Sequence, residues 1–158
     1  VRLPAYCTEE ARLRLYGAAL SWVGTPFAAH ADIKGAGVDC VNLAVSVYVD
    51  SGFIFIWNPP AYTLDAGSHL ALSKVVEWLE ASGKFDRVGL HSEIGDLLLF
   101  RVGGKNSVIH HVGVKVSKSH FIQAIRHYGV VLSPLADPTW AARLERVYRP
   151  MEGIFQPA

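Results

Sequence analysis

The sequence predicts an α+β domain in which N-terminal helices pack on a C-terminal antiparallel sheet of about five strands. Two observations carry this. Segments with apolar residues at helical spacing fill the first half of the chain, and short β-rich runs separated by turn residues fill the second. Helices that precede strands, rather than alternate with them, indicate α+β. The 158 residues suit one domain, spanning 1–158, with a substantial core.

The first helix is expected over Thr8 to Val23. Thr8 is an N-cap type, Glu9 and Glu10 favour the positive end of the helix dipole, and Ala11, Leu13, Leu15, Ala18, Ala19 and Trp22 form an apolar stripe. Gly24-Thr25-Pro26 ends it. Ala28 to Gly37 reads as a loop. The run from Cys40 to Val49 is apolar throughout and fits a buried helix or a strand equally, since periodicity alone does not separate them. Gly52 closes it. After a Pro-rich connection at Asn58-Pro59-Pro60, Ser68 to Ser82 reads as an amphipathic helix with Leu70, Leu72, Val75, Val76 and Leu79 inward, stopped by Gly83. Strands are expected over Asp96–Val102, Ile109–Val116, His120–Ile125, Gly129–Leu132 and Leu144–Tyr148.

Composition removes several functions. Hydrophobic residues make up 51% and charged residues 18%, which argues against disorder. Fifteen Lys and Arg against fourteen Asp and Glu leave a net charge of +1, no basis for nucleic-acid binding. No apolar run approaches the roughly 18 residues of a membrane span, so no membrane insertion is expected. No signal peptide is visible, but the chain begins at Val1, so this says little about export, and the compartment stays unknown. The two cysteines, Cys7 and Cys40, form neither a disulfide framework nor a CxxC metal pair, and a bridge between them is disfavoured. No cofactor is called for: phosphate-binding glycine loops are absent. His110, His111, His120 and His127 are not read as metal ligands, because adjacent strand histidines point apart.

Chemistry concentrates in three pieces. If a helix begins at Cys40, its thiol stands at the positive end of the dipole, where free backbone N–H groups stabilise a thiolate and can receive an oxyanion. Taken alone, Cys40 reads more readily as a core residue, since free cysteine is among the most buried side chains. In Ile109-His110-His111-Val112-Gly113-Val114, strand alternation puts His111 with Gly113 and His110 with Val112 and Val114. A hairpin turning about Ser117 pairs residues whose numbers sum to 234, so His111 faces Gln123. Gln123 then accepts a hydrogen bond from His111 Nδ1–H and leaves Nε2 for the thiol, a nucleophile–base–orienter set. His69 and His91 read as surface residues, and Asp96 as the end of a turn.

Together these residues resemble the NlpC-like family of cell-wall cysteine peptidases. The matching motifs are Gly24-Thr25-Pro26-Phe27, Asp39-Cys40, Gly95-Asp96-Leu97-Leu98-Leu99-Phe100, His111-Val112-Gly113-Val114 and Phe121-Ile122-Gln123-Ala124, in the family's order. The resemblance implies a papain-like fold with Cys40 as nucleophile, His111 as base and Gln123 as third catalytic residue. It implies as partner a peptidoglycan stem peptide, cleaved between D-glutamate and the diamino acid, with Asp39 holding the stem's free amine. That places its action in the cell envelope or outside the cell. Lys34-Gly35, Gly129-Val130-Val131, Trp140 and Arg143-Leu144 resemble the compact forms encoded with phage tails, which implies other tail-like proteins as partners. Three departures stand out: Val41-Asn42 where Ser-Gly is usual, Ala28-Ala29-His30 in place of an aromatic and glycines, and Gln123 in place of histidine. They motivate two alternatives, an acyltransferase or non-wall amidase using the same site, and a non-catalytic tail module.

Overall fold

The computed structural model of the protein describes residues 2–53, 61–63, 72–101 and 109–152. A short strand β1 (Leu3–Pro4) leads into α1 (Glu9–Trp22), followed by the small hairpin β2 (Asp32–Ile33) and β3 (Gly37–Val38). Next come α2 (Cys40–Asp50), α3 (Ser73–Ala81), β4 (Phe85–Val88), β5 (Leu97–Arg101) and β6 (Ile109–Lys115). The chain continues through β7 (His120–Ile125), β8 (Gly129–Pro134), α4 (Pro138–Ala141) and β9 (Leu144–Glu152). The α+β class holds, with α1 to α3 ahead of the main sheet's strands apart from the short β1, and the short α4 after most of them.

Among the described residues the sheet has seven strands where about five were expected. Its order is β1-β9-β5-β6-β7-β8, and β4 pairs with the other side of β9. β1 and β4 are the additions, and both depend on the unexpected length of β9. That strand runs past Tyr148 to Glu152, offering Pro150 and Arg149 to Phe85 and Asp86, and Glu152 and Met151 to Leu3 and Pro4. Such short strands have no periodicity of their own and exist because a distant partner satisfies their backbone groups.

Thr8 caps α1 as expected, its hydroxyl accepting from the Ala11 amide. Leu13, however, faces solvent; the buried stripe is Ala11, Leu15, Ala18, Ala19 and Trp22. The apolar run after Asp39 is a helix. Its Leu43, Ala44, Val47 and Tyr48 lie in the core, and Gly52 closes it in the left-handed region. The third helix begins at Ser73 rather than Ser68, with Leu72 at its cap; the 68–71 part of that expectation, the Pro-rich connection at 58–60 and His69 lie outside the described residues. Leu72, Val75, Val76 and Leu79 are buried, each contributing on the order of 2 kcal/mol. No described helix is long and apolar enough to cross a membrane.

Strand alternation divides the core in two. Leu97, Leu99, Val112, Val114, Ile122 and Ala124 face the helices in the larger cluster. Leu98, Phe100, Phe121 and Val147 face the opposite way, covered by Trp140 of α4.

Candidate active site

The Gly24-Thr25-Pro26-Phe27 segment serves as a clamp. Gly24 N–H donates to Val130 O at 3.0 Å and Val130 N–H to Thr25 O at 2.9 Å, which stitches the turn onto β8. Gly129 makes this approach possible: a Cβ there would stand 2.6 Å from Thr25 O, at a φ of +77°. On its other side the clamp holds β3, with Val38 N–H on Pro26 O at 3.0 Å and Ala28 N–H on Val38 O at 3.1 Å. The start of α2 is thereby fixed against the sheet.

Asp39 is the N-cap of α2. Its Oδ1 accepts from Asn42 N–H at 2.8 Å, and its Oδ2 accepts from His30 N–H and from the Tyr62 hydroxyl, both at 2.8 Å. The carboxylate is fully buried. An acid here suits the helix dipole. His30 adopts the left-handed region at φ 62°, which presents its amide to Asp39, and its ring lies 4.9 Å from that of Tyr62. Burial and the Asp39 carboxylate push the Tyr62 hydroxyl upward, so it stays protonated and donates.

Cys40 is the first residue of α2 and is buried as a free thiol; Cys7 is also free, and exposed. The Cys40 sulfur meets the backbone N–H groups of Val112, Val41 and its own residue. The ladder explains the Val112 contact. β6 and β7 pair at Val114 with Ile122 and Lys115 with Phe121, and their pairing stops there. The Val112 amide is thus released from β7, and the sulfur occupies its direction. Burial and the Asp39 carboxylate push the thiol up to about 12, against the pull of the backbone N–H groups.

His111 follows one residue before Val112. Its ring lies among Phe100 and Trp140, at centroid distances of 5.8 and 5.1 Å, and Nε2 is 2.7 Å from Gln123 Oε1. Gln123 is fully buried, and its Nε2 donates to Ser133 Oγ at 2.7 Å. A carboxamide oxygen only accepts, so His111 carries its proton on Nε2 and keeps the Nδ1 lone pair. Burial holds the imidazole down at about 4, with Gln123 opposing.

Two details of the expected hairpin are corrected. The pairs sum to 236, not 234, because the turn centres on Lys118 rather than Ser117. Gln123 is therefore His111's diagonal neighbour, on the same face because the slip is even. The ring nitrogen that meets Gln123 is Nε2 and not Nδ1, which exchanges the roles assigned to the two nitrogens. Gly113 gives close approach to β7: a Cβ there would stand 2.8 Å from Phe121 Cδ2 and 2.9 Å from Ile122 O.

The structure therefore brings His111 to Gln123 directly and sets Cys40 at the amide next to His111, with Asp39 holding the helix start. Sequence reasoning missed Tyr62, Ser133 and the Val112 amide. Only Ser133 had a usable signal, sharing strand parity with Val131, the partner of Gln123. Among the described residues no group of three or more His, Cys, Asp or Glu side chains is placed to hold a metal ion.

Residues 21–149 match the model of the NlpC/P60 family. A probable endopeptidase of Haemophilus influenzae is 25% identical over 129 residues, covering 81% of this chain and 68% of that protein. A Staphylococcus aureus protein similar to lipoprotein, of the NLP/P60 family, superposes with a TM-score of 0.64 at 18% identity, covering 95% of this chain and 44% of the other. NlpC1 from Trichomonas vaginalis gives 0.64 at 16% identity, over 95% of this chain and 48% of the other. The NlpC/p60 domain of the peptidoglycan hydrolase SagA gives 0.55 at 17% identity, over 86% and 96%. These structures share the fold, and the chain spans about half or less of the first two.

Proposed function

The chain belongs to the NlpC/P60 family and is a cysteine peptidase or amidase, and from that premise we propose that it hydrolyses an amide bond of peptidoglycan stem peptides, between D-glutamate and the diamino acid. One observation carries the mechanism: the Gln123 carbonyl holds His111 with Nε2 protonated, so Nδ1 is a free base. Burial disfavours charge on both Cys40 and His111, so the resting pair is neutral thiol and neutral imidazole. As the sulfur attacks the carbonyl carbon, its proton passes to Nδ1, an S–C bond forms, and the carbonyl π pair becomes an oxyanion. Collapse expels the amine, which takes the proton from Nδ1. Water then attacks the thioester by the same route and frees Cys40. Gln123 stabilises the transient imidazolium through Oε1, the work of the third catalytic position.

Asp39 is proposed to contribute Oδ2 to the stem's free amine, with the Tyr62 hydroxyl turning aside. A carboxylate beside the nucleophile suits an ammonium group. Association with tail-like particles is proposed on the motif resemblance alone.

Mass spectrometry of a muropeptide digest tests the reading. The protein is expected to release fragments cut after D-glutamate, and Cys40→Ala none. Equal turnover by Cys40→Ala refutes the nucleophile, and cleavage elsewhere in the stem refutes the bond. An acyltransferase reading draws on Val41-Asn42 after Cys40, where the family pattern has Ser-Gly. An amide product in the presence of an added amine supports it over hydrolysis.

A further inference from the structure

His110 is a buried imidazole that the mechanism leaves unused. It is 8% exposed, and among the described residues neither Nδ1 nor Nε2 has a hydrogen-bond partner. A buried polar group in that state is rare in folded proteins and costly. Here both nitrogens of one ring are unpaired, while His111 beside it is fully oriented.

Its position supplies a reason. Strand alternation turns His110 to the face of Val112 and Val114, the face that α2 covers. The direction of α2 along β6 follows from its ends. Its first residue meets the Val112 amide, whereas its Tyr48 hydroxyl donates to Gly95 O at 2.8 Å, and Gly95 N–H donates to Lys115 O at 2.8 Å. The helix therefore runs from Val112 toward Lys115, and its N-terminus points back toward the start of β6. His110 stands there, about 7 Å along the strand from Val112. At that N-terminus Asn42 N–H is taken by Asp39 Oδ1 and Leu43 N–H by Asp39 O. The amides of Cys40 and Val41 remain, turned to the sulfur.

Resting on Cys40 as nucleophile, we propose that His110 is the side-chain donor of the oxyanion site: its ring N–H binds the oxygen of the scissile carbonyl as Cys40 attacks. A neutral imidazole carries one N–H in either tautomer, so the donor is always present. The bond formed is S–C, the electron pair moves to oxygen, the thiol proton goes to His111, and His110 gives only a hydrogen bond. Uncommitted at rest, that N–H is left for the oxyanion once the substrate enters and the ring turns toward it.

The test compares His110→Phe, which keeps the ring and loses the donor, with His110→Gln, which keeps an N–H. His110→Phe is expected to lower kcat about 100- to 1000-fold with KM within about threefold, and His110→Gln to recover about tenfold. A short peptide aldehyde, whose hemithioacetal carries the same oxygen, should bind His110→Phe correspondingly more weakly. Iodoacetamide alkylation of Cys40, which forms no oxyanion, should be unchanged. Unaltered kcat and aldehyde affinity in His110→Phe overturn the proposal. Should that variant not fold, nitrogen-15 NMR of the unmodified protein decides: the His110 ring N–H proton must shift downfield when the aldehyde binds, and an unmoved signal overturns the proposal. If Cys40 does not take the aldehyde at all, the nucleophile reading falls and this inference with it. Aldehyde uptake with His110 unmoved removes this inference alone.

Discussion

Acidification should unfold this protein partly through one residue. His111 is 8% exposed, walled by Phe100 and Trp140, and its only hydrogen-bond partner among the described residues is neutral Gln123. Its imidazole is lowered from an ordinary 6.5 to about 4. A histidine depressed in the folded state contributes stability that is complete above 6.5 and is lost as pH falls toward 4, because the unfolded chain takes up the proton first. The gap, at about 1.4 kcal/mol per pH unit, is roughly 3.5 kcal/mol in full and about 2.5 kcal/mol by pH 4.5. Urea unfolding at pH 7 and pH 4.5, on the parent and on His111→Gln, isolates this contribution, since carboxylates titrate alike in both and glutamine does not titrate. The parent should lose about 2.5 kcal/mol more than the variant. Equal losses would refute the buried neutral imidazole, and with it the free base that the mechanism requires. The same depression predicts that kcat/KM stays level from pH 7 through pH 6, where an ordinary histidine base would already be titrating.

Substitutions at three positions probe the rest of the site. Gln123→Leu leaves His111 Nε2 and Ser133 Oγ without their partners and should lower kcat by about 100-fold, whereas Gln123→His should stay within about tenfold of the parent; steady-state kinetics on a muropeptide compare them. Gly113→Ala places a methyl 2.9 Å from the backbone oxygen of Ile122, which should destabilise by about 1–3 kcal/mol in urea unfolding and displace His111 enough to reduce turnover. Asp39→Asn keeps a helix cap but removes the charge that raises the Cys40 thiol, so iodoacetamide labelling at pH 8 should accelerate roughly threefold to tenfold.

Much of the fold was legible because local rules and tertiary needs agree. β7 occupies the expected residues, and Thr8 caps the first helix as its chemistry suggests. Disagreement arises where partners are remote. β4 owes its existence to Pro150, Arg149, Tyr148 and Val147 on β9, and nothing in Phe85-Asp86-Arg87-Val88 announces them. The segment from Cys40 was undecidable for a different reason: buried on most sides, it displays neither a 3.6 nor a 2 period, and only the Asp39 cap and its seat on the sheet make it helical.

The site shows the same division at finer scale. His111 and Gln123 were placed on one face by parity, and parity survives a slip of two residues, so the pairing was right although the register was not. Parity does not say which ring nitrogen meets Gln123, since that is set by the rotation of the imidazole and not by the face it lies on. The correction strengthens the chemistry. With Nε2–H engaged by Gln123, the lone pair is on Nδ1, and the Cys40 sulfur stands at the amide of the next residue, Val112. That amide is available only because β6 and β7 cease to pair beyond Val114 and Ile122. The gap in the ladder, rather than any single side chain, is thus what sets a helix-borne thiol at the amide next to a strand-borne imidazole.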